Sequence, residues 1–156
     1  MNLAEIIDSR AVLPAVKAQN KKQLLQELSQ AMGSILAVDH RIIFETLLTR
    51  EKLGSTGLGQ GIAVPHGRLP QITRVYGLFA KLATPVAYDS VDGQPVDLVF
   101  VLLSPNHAGA DHLTALAKIS RLLRASGTMA KLRGTDTAEG LYAILTEPAA
   151  TTATAA

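Results

Sequence analysis

The sequence predicts an α/β layer fold, a sheet with helices packed on it, in one domain. Segments of helical period lie before, between and after strand-like runs, and the run Val96 to Leu103 is almost continuously apolar, as a strand covered on both faces must be. The chain has 156 residues, 47% of them hydrophobic and 18% charged, which is enough to bury a core without cross-links.

The first helix is predicted over residues 21–37. Asn20 followed by Gln23 has the form of a capping box, and Leu24, Leu28, Ala31, Met32, Ile35 and Leu36 recur at helical spacing. Asp39 caps a second helix whose apolar positions Ile43, Phe44, Leu47 and Leu48 share one side; it runs to Arg50 and Glu51 and ends at Gly54. Strands follow at Val75 to Leu82 and Val96 to Leu103, with Asp92-Gly93 marking a turn between them. After Pro105 the period changes again. Asp111 is the expected cap of a helix with Leu113, Leu116, Ala117, Ser120 and Leu123 on its inner face and His112 in its first turn. Residues 126–132 make a short helix closed by Gly134, and Asp136 with Glu139 opens a last helix through Leu145. The domain is therefore expected over residues 1–147, and the alanine- and threonine-rich stretch 148–156, with nothing to bury, is expected to be a disordered tail.

Composition excludes several classes of function. The apolar runs are too short to span a bilayer, and the N-terminus lacks the layout of a secretory signal. There is no cysteine, hence no disulfide and no thiolate metal site, so the cytoplasm is the expected compartment. A net charge of +2, spread among acids, and the absence of tryptophan give a nucleic acid neither a basic face nor a stacking platform.

The most informative stretch is Gly54-Ser55-Thr56-Gly57-Leu58-Gly59-Gln60-Gly61-Ile62-Ala63-Val64-Pro65-His66-Gly67. Pro65 fixes its own φ and biases Val64 toward an extended backbone, and Gly67 has no side chain to crowd a ring. His66 is thus expected at a strand end, open to a partner, with a lone pair available at neutral pH. The glycines at 57, 59 and 61 do not follow the dinucleotide pattern, and no Gly-Lys-Ser/Thr follows them. Four histidines, His40, His66, His107 and His112, show no metal-ligand spacing, and Ser55 lies in no nucleophile elbow. His40 and His107 read as solvated. Should the glycine-rich segment fold back so that Arg50, His66 and His112 converge, the result is a nucleophilic imidazole beside a guanidinium that grips phosphoryl oxygens, a site suited to receiving a phosphoryl group.

Arg50-Glu51, Gly54 to Gly57, Gly61 to Gly67, Asp92 to Phe100, and His112-Leu113 with Leu116 to Ser120 together resemble the type-2 enzyme IIA domain of the bacterial phosphoenolpyruvate-dependent phosphotransferase system, over about residues 1–146. The wording around Gly54 to Gly67 is most similar to the nitrogen-related regulatory branch. The resemblance implies a mixed parallel and antiparallel sheet flanked by helices on both faces. It implies that a histidine phosphocarrier of the HPr type, its nitrogen-branch form, phosphorylates His66 on the nitrogen remote from the ring's attachment, the other nitrogen being hydrogen-bonded to backbone. His112 and Arg50 would hold the phosphoryl oxygens, with Ser55, Thr56 and Gly67 as supporting positions and no cofactor or metal. Regulatory targets such as potassium transport systems or their sensor kinases would respond to the phosphorylation state. The sequence includes no permease segment, which tilts the expectation toward regulation. A sugar-specific enzyme IIA that passes phosphate to an enzyme IIB, and an interaction module that is not phosphorylated, are the competing readings.

Overall fold

The computed structural model of the chain describes residues 2–125 and 127–147. A 3-10 turn at Leu3–Glu5 leads into β1 (Ile7–Val16), α1 (Lys21–Leu36) and α2 (His40–Lys52). Three short strands follow, β2 (Gly57–Gly59), β3 (Ile62–Ala63) and β4 (His66–Arg68), then β5 (Tyr76–Val86) and β6 (Val96–Ser104). The chain closes with α3 (Ala110–Arg124), α4 (Thr128–Arg133) and α5 (Ala138–Leu145).

Local chemistry accounts for the helix starts. The Asn20 side chain accepts from the Gln23 N–H (2.8 Å), and the Gln23 amide oxygen returns to the Gln19 N–H (2.7 Å). Asp39 caps α2 through the Arg41 N–H (2.9 Å). Two expected caps are corrected. Gly109, at φ 56, occupies the N-cap of α3, and Asp111 lies inside the first turn. Thr137 caps α5 by accepting from the Gly140 N–H (3.1 Å), while Asp136 instead pairs with Lys81 (3.0 Å). α4 ends at Gly134 as expected, whereas Ser126 and the tail 148–156 lie outside the described residues.

The sheet is mixed and runs β1-β5-β6-β3-β2, with β4 also paired to β6. β5 and β6 are antiparallel; β1 lies parallel to β5, and β3 and β4 parallel to β6. β6 is the axis of the molecule. Leu98, Phe100 and Leu102 point to one face and Val99, Val101 and Leu103 to the other, and all six are fully buried. From Leu98 to Leu103 both faces of this strand are therefore covered.

Five elements depart from expectation. The sequence pattern does not show β1, β2 or β3, and of β4 it shows only that His66 stands at a strand end. α3 is rotated: His112, Ala115, Ile119 and Leu123 face inward, while Leu113 is 68% exposed and Ala117 is exposed. Leu123 belongs to both sets and Leu116 packs against the core, so the inward face is offset from the leucine stripe toward the buried His112 ring and its partner on β6.

Candidate functional site

The glycine-rich run forms a hairpin added to the sheet. β2 and β3 are antiparallel, and both turn residues, Gln60 (φ 58) and Gly61 (φ 82), adopt the left-handed backbone that a tight two-residue hairpin requires. From β3 the chain continues alongside β6, and the register survives the interruption at Val64-Pro65. Ile62 faces Leu98 and Ala63 faces Val99 before it; His66 faces Leu102 and Gly67 faces Leu103 after it. Pro65 offers no N–H, but its carbonyl accepts from the Leu102 N–H (3.0 Å), so the ladder resumes at once. His66 is consequently a residue on a strand fixed by the central strand of the sheet.

Its ring orientation is set locally. Nδ1 lies 2.8 Å from the Val64 carbonyl oxygen, which can only accept, so Nδ1 carries the proton. Nε2 is left with its lone pair and receives the Arg50 Nε–H at 3.3 Å. Burial holds the ring's pKa below its ordinary value, with the Arg50 charge acting in the same direction against the opposing Val64 bond and Glu51. The half-buried imidazole is therefore neutral at physiological pH, with a free pair on the nitrogen remote from Cβ.

α2 brings Arg50 to that nitrogen. At Gly67 a Cβ would stand 2.5 Å from Thr46 Cγ2, so α2 sits directly on β4 there, and Arg50 lies one turn farther along the same helix. The guanidinium is steadied by a bond from Nη1 to the Gly54 carbonyl (2.8 Å) just past the helix end. His112 comes from the first turn of α3; its ring centroid is 5.6 Å from that of His66, tilted by 53°. Its Nδ1 is 2.6 Å from Ser104 Oγ at the end of β6. Burial, then His66 and Arg68, push the His112 pKa down to about 4. Arg50, His66 and His112 thus converge as the sequence suggested.

The hydroxyls of Ser55 and Thr56 are engaged structurally. Ser55 Oγ donates to the Tyr88 carbonyl (2.9 Å) and accepts from the Gly57 N–H (3.1 Å), the turn-forming arrangement. Thr56 is buried; its hydroxyl donates to Glu51 Oε2 and lies 3.2 Å from the Tyr88 phenol oxygen. Glu51 also accepts from the Thr56 N–H (3.0 Å) and pairs with Lys21 (3.0 Å), whose ammonium sits 4.4 Å over the Tyr88 ring. This buried cluster ties α1, α2 and the segment before β2 together beneath Arg50. Tyr88, Ser104 and Arg68 are not singled out by the sequence, and Glu51 only as the neighbour of Arg50, because each matters through a side-chain pairing that no motif marks. His40 and His107 are exposed and stand apart from the site. Among the described residues no group of three or more His, Asp or Glu could hold a metal ion, and no helix is long and apolar enough to cross a membrane.

Comparison with known proteins agrees with this architecture. The profile of the family described as phosphoenolpyruvate-dependent sugar phosphotransferase system, EIIA 2, matches residues 5–147. The chain is 49% identical to a nitrogen regulatory protein of Bradyrhizobium diazoefficiens, over 98% of this chain and 100% of that protein. It is 40% identical to a nitrogen regulatory protein of Klebsiella oxytoca, over 94% and 91% of the two chains. The crystal structure of nitrogen regulatory protein IIA-Ntr from Neisseria meningitidis superposes with a TM-score of 0.87 at 37% identity, covering 92% of this chain and 99% of that one.

Proposed function

The chain belongs to the type-2 enzyme IIA family of the phosphoenolpyruvate-dependent sugar phosphotransferase system, and from that premise we propose that His66 Nε2 is the atom that receives the phosphoryl group. The protein is a phosphoryl-accepting regulatory component of the nitrogen-regulatory kind, a transferase in the broad sense, and works with phosphocarrier partners of the system. The observation that carries the His66 assignment is the bond from Nδ1 to the Val64 carbonyl, which leaves only Nε2 nucleophilic.

The Nε2 pair attacks the phosphorus of a donor phosphohistidine in line. The new N–P bond forms as the donor's N–P bond breaks, and the leaving electron pair stays on the donor imidazole. The proton on His66 Nδ1 does not move. The Arg50 Nε–H, which bonds Nε2 in the resting protein, is released to a phosphoryl oxygen as the lone pair is used, so the resting contact becomes a charge-assisted one. A second phosphoryl oxygen is within the reach of His112. The donor is an HPr-like carrier of the nitrogen branch acting in the cytoplasm. Phosphorylation exchanges a neutral ring for a dianion, and potassium transport systems or sensor kinases read the difference.

Incubation with phosphoenolpyruvate, enzyme I and the HPr-like carrier should add one acid-labile phosphoryl group by intact mass, and His66→Ala should add none. Full labelling of that variant would remove His66 from the mechanism.

A further inference from the structure

Ser104 is the last residue of β6 and has no exposed surface. Its backbone is held on the β4 side, where it pairs with Arg68 and its carbonyl accepts from the Leu69 N–H (2.7 Å). The hydroxyl therefore leaves a rigid mount, and His112 Nδ1 at 2.6 Å is its one hydrogen-bond partner among the described residues. A hydroxyl can either donate or accept here, and the two choices differ in what they leave at the far side of the ring. Were Nδ1 to carry the proton, Nε2 would present a lone pair, which phosphoryl oxygens repel. With the proton on Nε2, the same nitrogen is a donor to those oxygens, and Nδ1 needs a donor of its own in a place that water does not reach.

We propose that Ser104 is a positioning residue for phosphoryl transfer: its hydroxyl donates to His112 Nδ1, which keeps the proton on Nε2 and aims that N–H at the phosphoryl group accepted by His66. The inference rests on His66 as acceptor. It gives His112 a role as a neutral donor that needs no prior protonation, consistent with a ring whose burial disfavours the charged form. Should the arriving dianion draw a second proton onto the ring, the same hydroxyl can rotate and accept from Nδ1, so Ser104 serves both states without moving.

Imidazole 15N shifts of the unphosphorylated protein read the tautomer directly and should show His112 protonated on Nε2. In the labelling assay with the HPr-like carrier, Ser104→Thr keeps the hydroxyl and should transfer within a few-fold of the native rate. Ser104→Val has nearly the same shape without the hydroxyl and should be slower by about 10-fold, the effect of one lost hydrogen bond. In that variant the His112 shifts should move toward a mixture of tautomers. A native His112 protonated on Nδ1, or equal rates for the Thr and Val variants, would overturn the proposal. A native protein that accepts no phosphate would overturn the His66 assignment and this role together, whereas normal labelling with equal variant rates overturns Ser104 alone.

Discussion

Arg50 makes two contacts that no other side chain at its position could make together. Nη1 reaches the Gly54 carbonyl and Nε reaches His66 Nε2, which uses the fork of a planar guanidinium. A lysine has one nitrogen and must abandon one of the two. Arg50→Lys is expected to slow labelling of His66 by at least 10-fold and Arg50→Ala by on the order of 10²-fold, the scale of a lost transition-state donor; initial rates at fixed carrier concentration measure both. His112 makes a separate prediction about pH. Its folded-state pKa is about 4 against 6.5 for a free histidine, so the unfolded chain binds the proton more readily. The stability due to the neutral ring is complete above about pH 6.5 and is lost as the pH falls from there toward about 4. His66, also held low, acts in the same direction. Unfolding free energies from urea titration should drop across that window by up to about 3 kcal/mol for His112. His112→Gln should flatten most of the slope, and an unchanged slope would show that the ring is not held neutral.

At the scale of elements, the seat of α2 on β4 governs the distance from Arg50 to His66. Gly67→Ala puts a methyl carbon 2.5 Å from Thr46 Cγ2, so Thr46 or the helix that carries it must shift. The expected cost is about 1–3 kcal/mol from overpacking, with a labelling rate that falls further than the stability does, because Arg50 recedes with the helix. Chemical denaturation and labelling on the same sample check this, and a stable variant labelled at the native rate would contradict it. Which elements could be read in advance follows from the range of the interactions that define them. α1 and α2 were legible because Asn20 and Asp39 act on N–H groups two or three residues away. β1 was not: it carries Pro14 and the polar run Asp8-Ser9-Arg10, and its pairing with β5 slips register twice, so no clean alternation survives. β2 to β4 are two or three residues each; β3 and β4 exist as additions to β6, and β2 as an addition to β3. Arg50, His66 and His112 stood out through their motifs, whereas Ser104 and the cluster of Glu51, Thr56 and Tyr88 depend on pairings that residue spacing does not show.

For the molecule as a whole, the α/β layering was visible in the alternation of periods, but the strand order was not, since two of the three partners of β6, β3 and β4, are too short to show a period of their own. That order divides the sheet into an end that holds the proposed phosphoryl site and an end that is stapled. His66 and Ser104 lie along the C-terminal half of β6. Asp97, near its start, takes Arg133 from α4 through Nε and Nη2, each at 2.8 Å, and the same Nη2 reaches the Gln60 carbonyl at the hairpin turn (2.7 Å). One guanidinium thus pins helix, central strand and hairpin together, and a Cβ at Gly61 would collide with it at 2.4 Å. Arg133→Met keeps most of the stem and deletes the charge. Because the Arg133 and Asp97 side chains are 36% and 26% exposed, water replaces much of the lost bonding, and the expected loss is about 1 kcal/mol. For a domain of this size that lowers Tm by about 2–4 °C. The proposed phosphoryl site should not notice: His66 is held by Val64, by Pro65 through Leu102, and by Arg50, none of which touches Arg133. The variant should melt earlier yet accept phosphate from the HPr-like carrier at the native rate. A fall of 10-fold or more in that rate would mean that the hairpin turn and His66 move as one unit, and that the staple at one end of the sheet sets the geometry at the other.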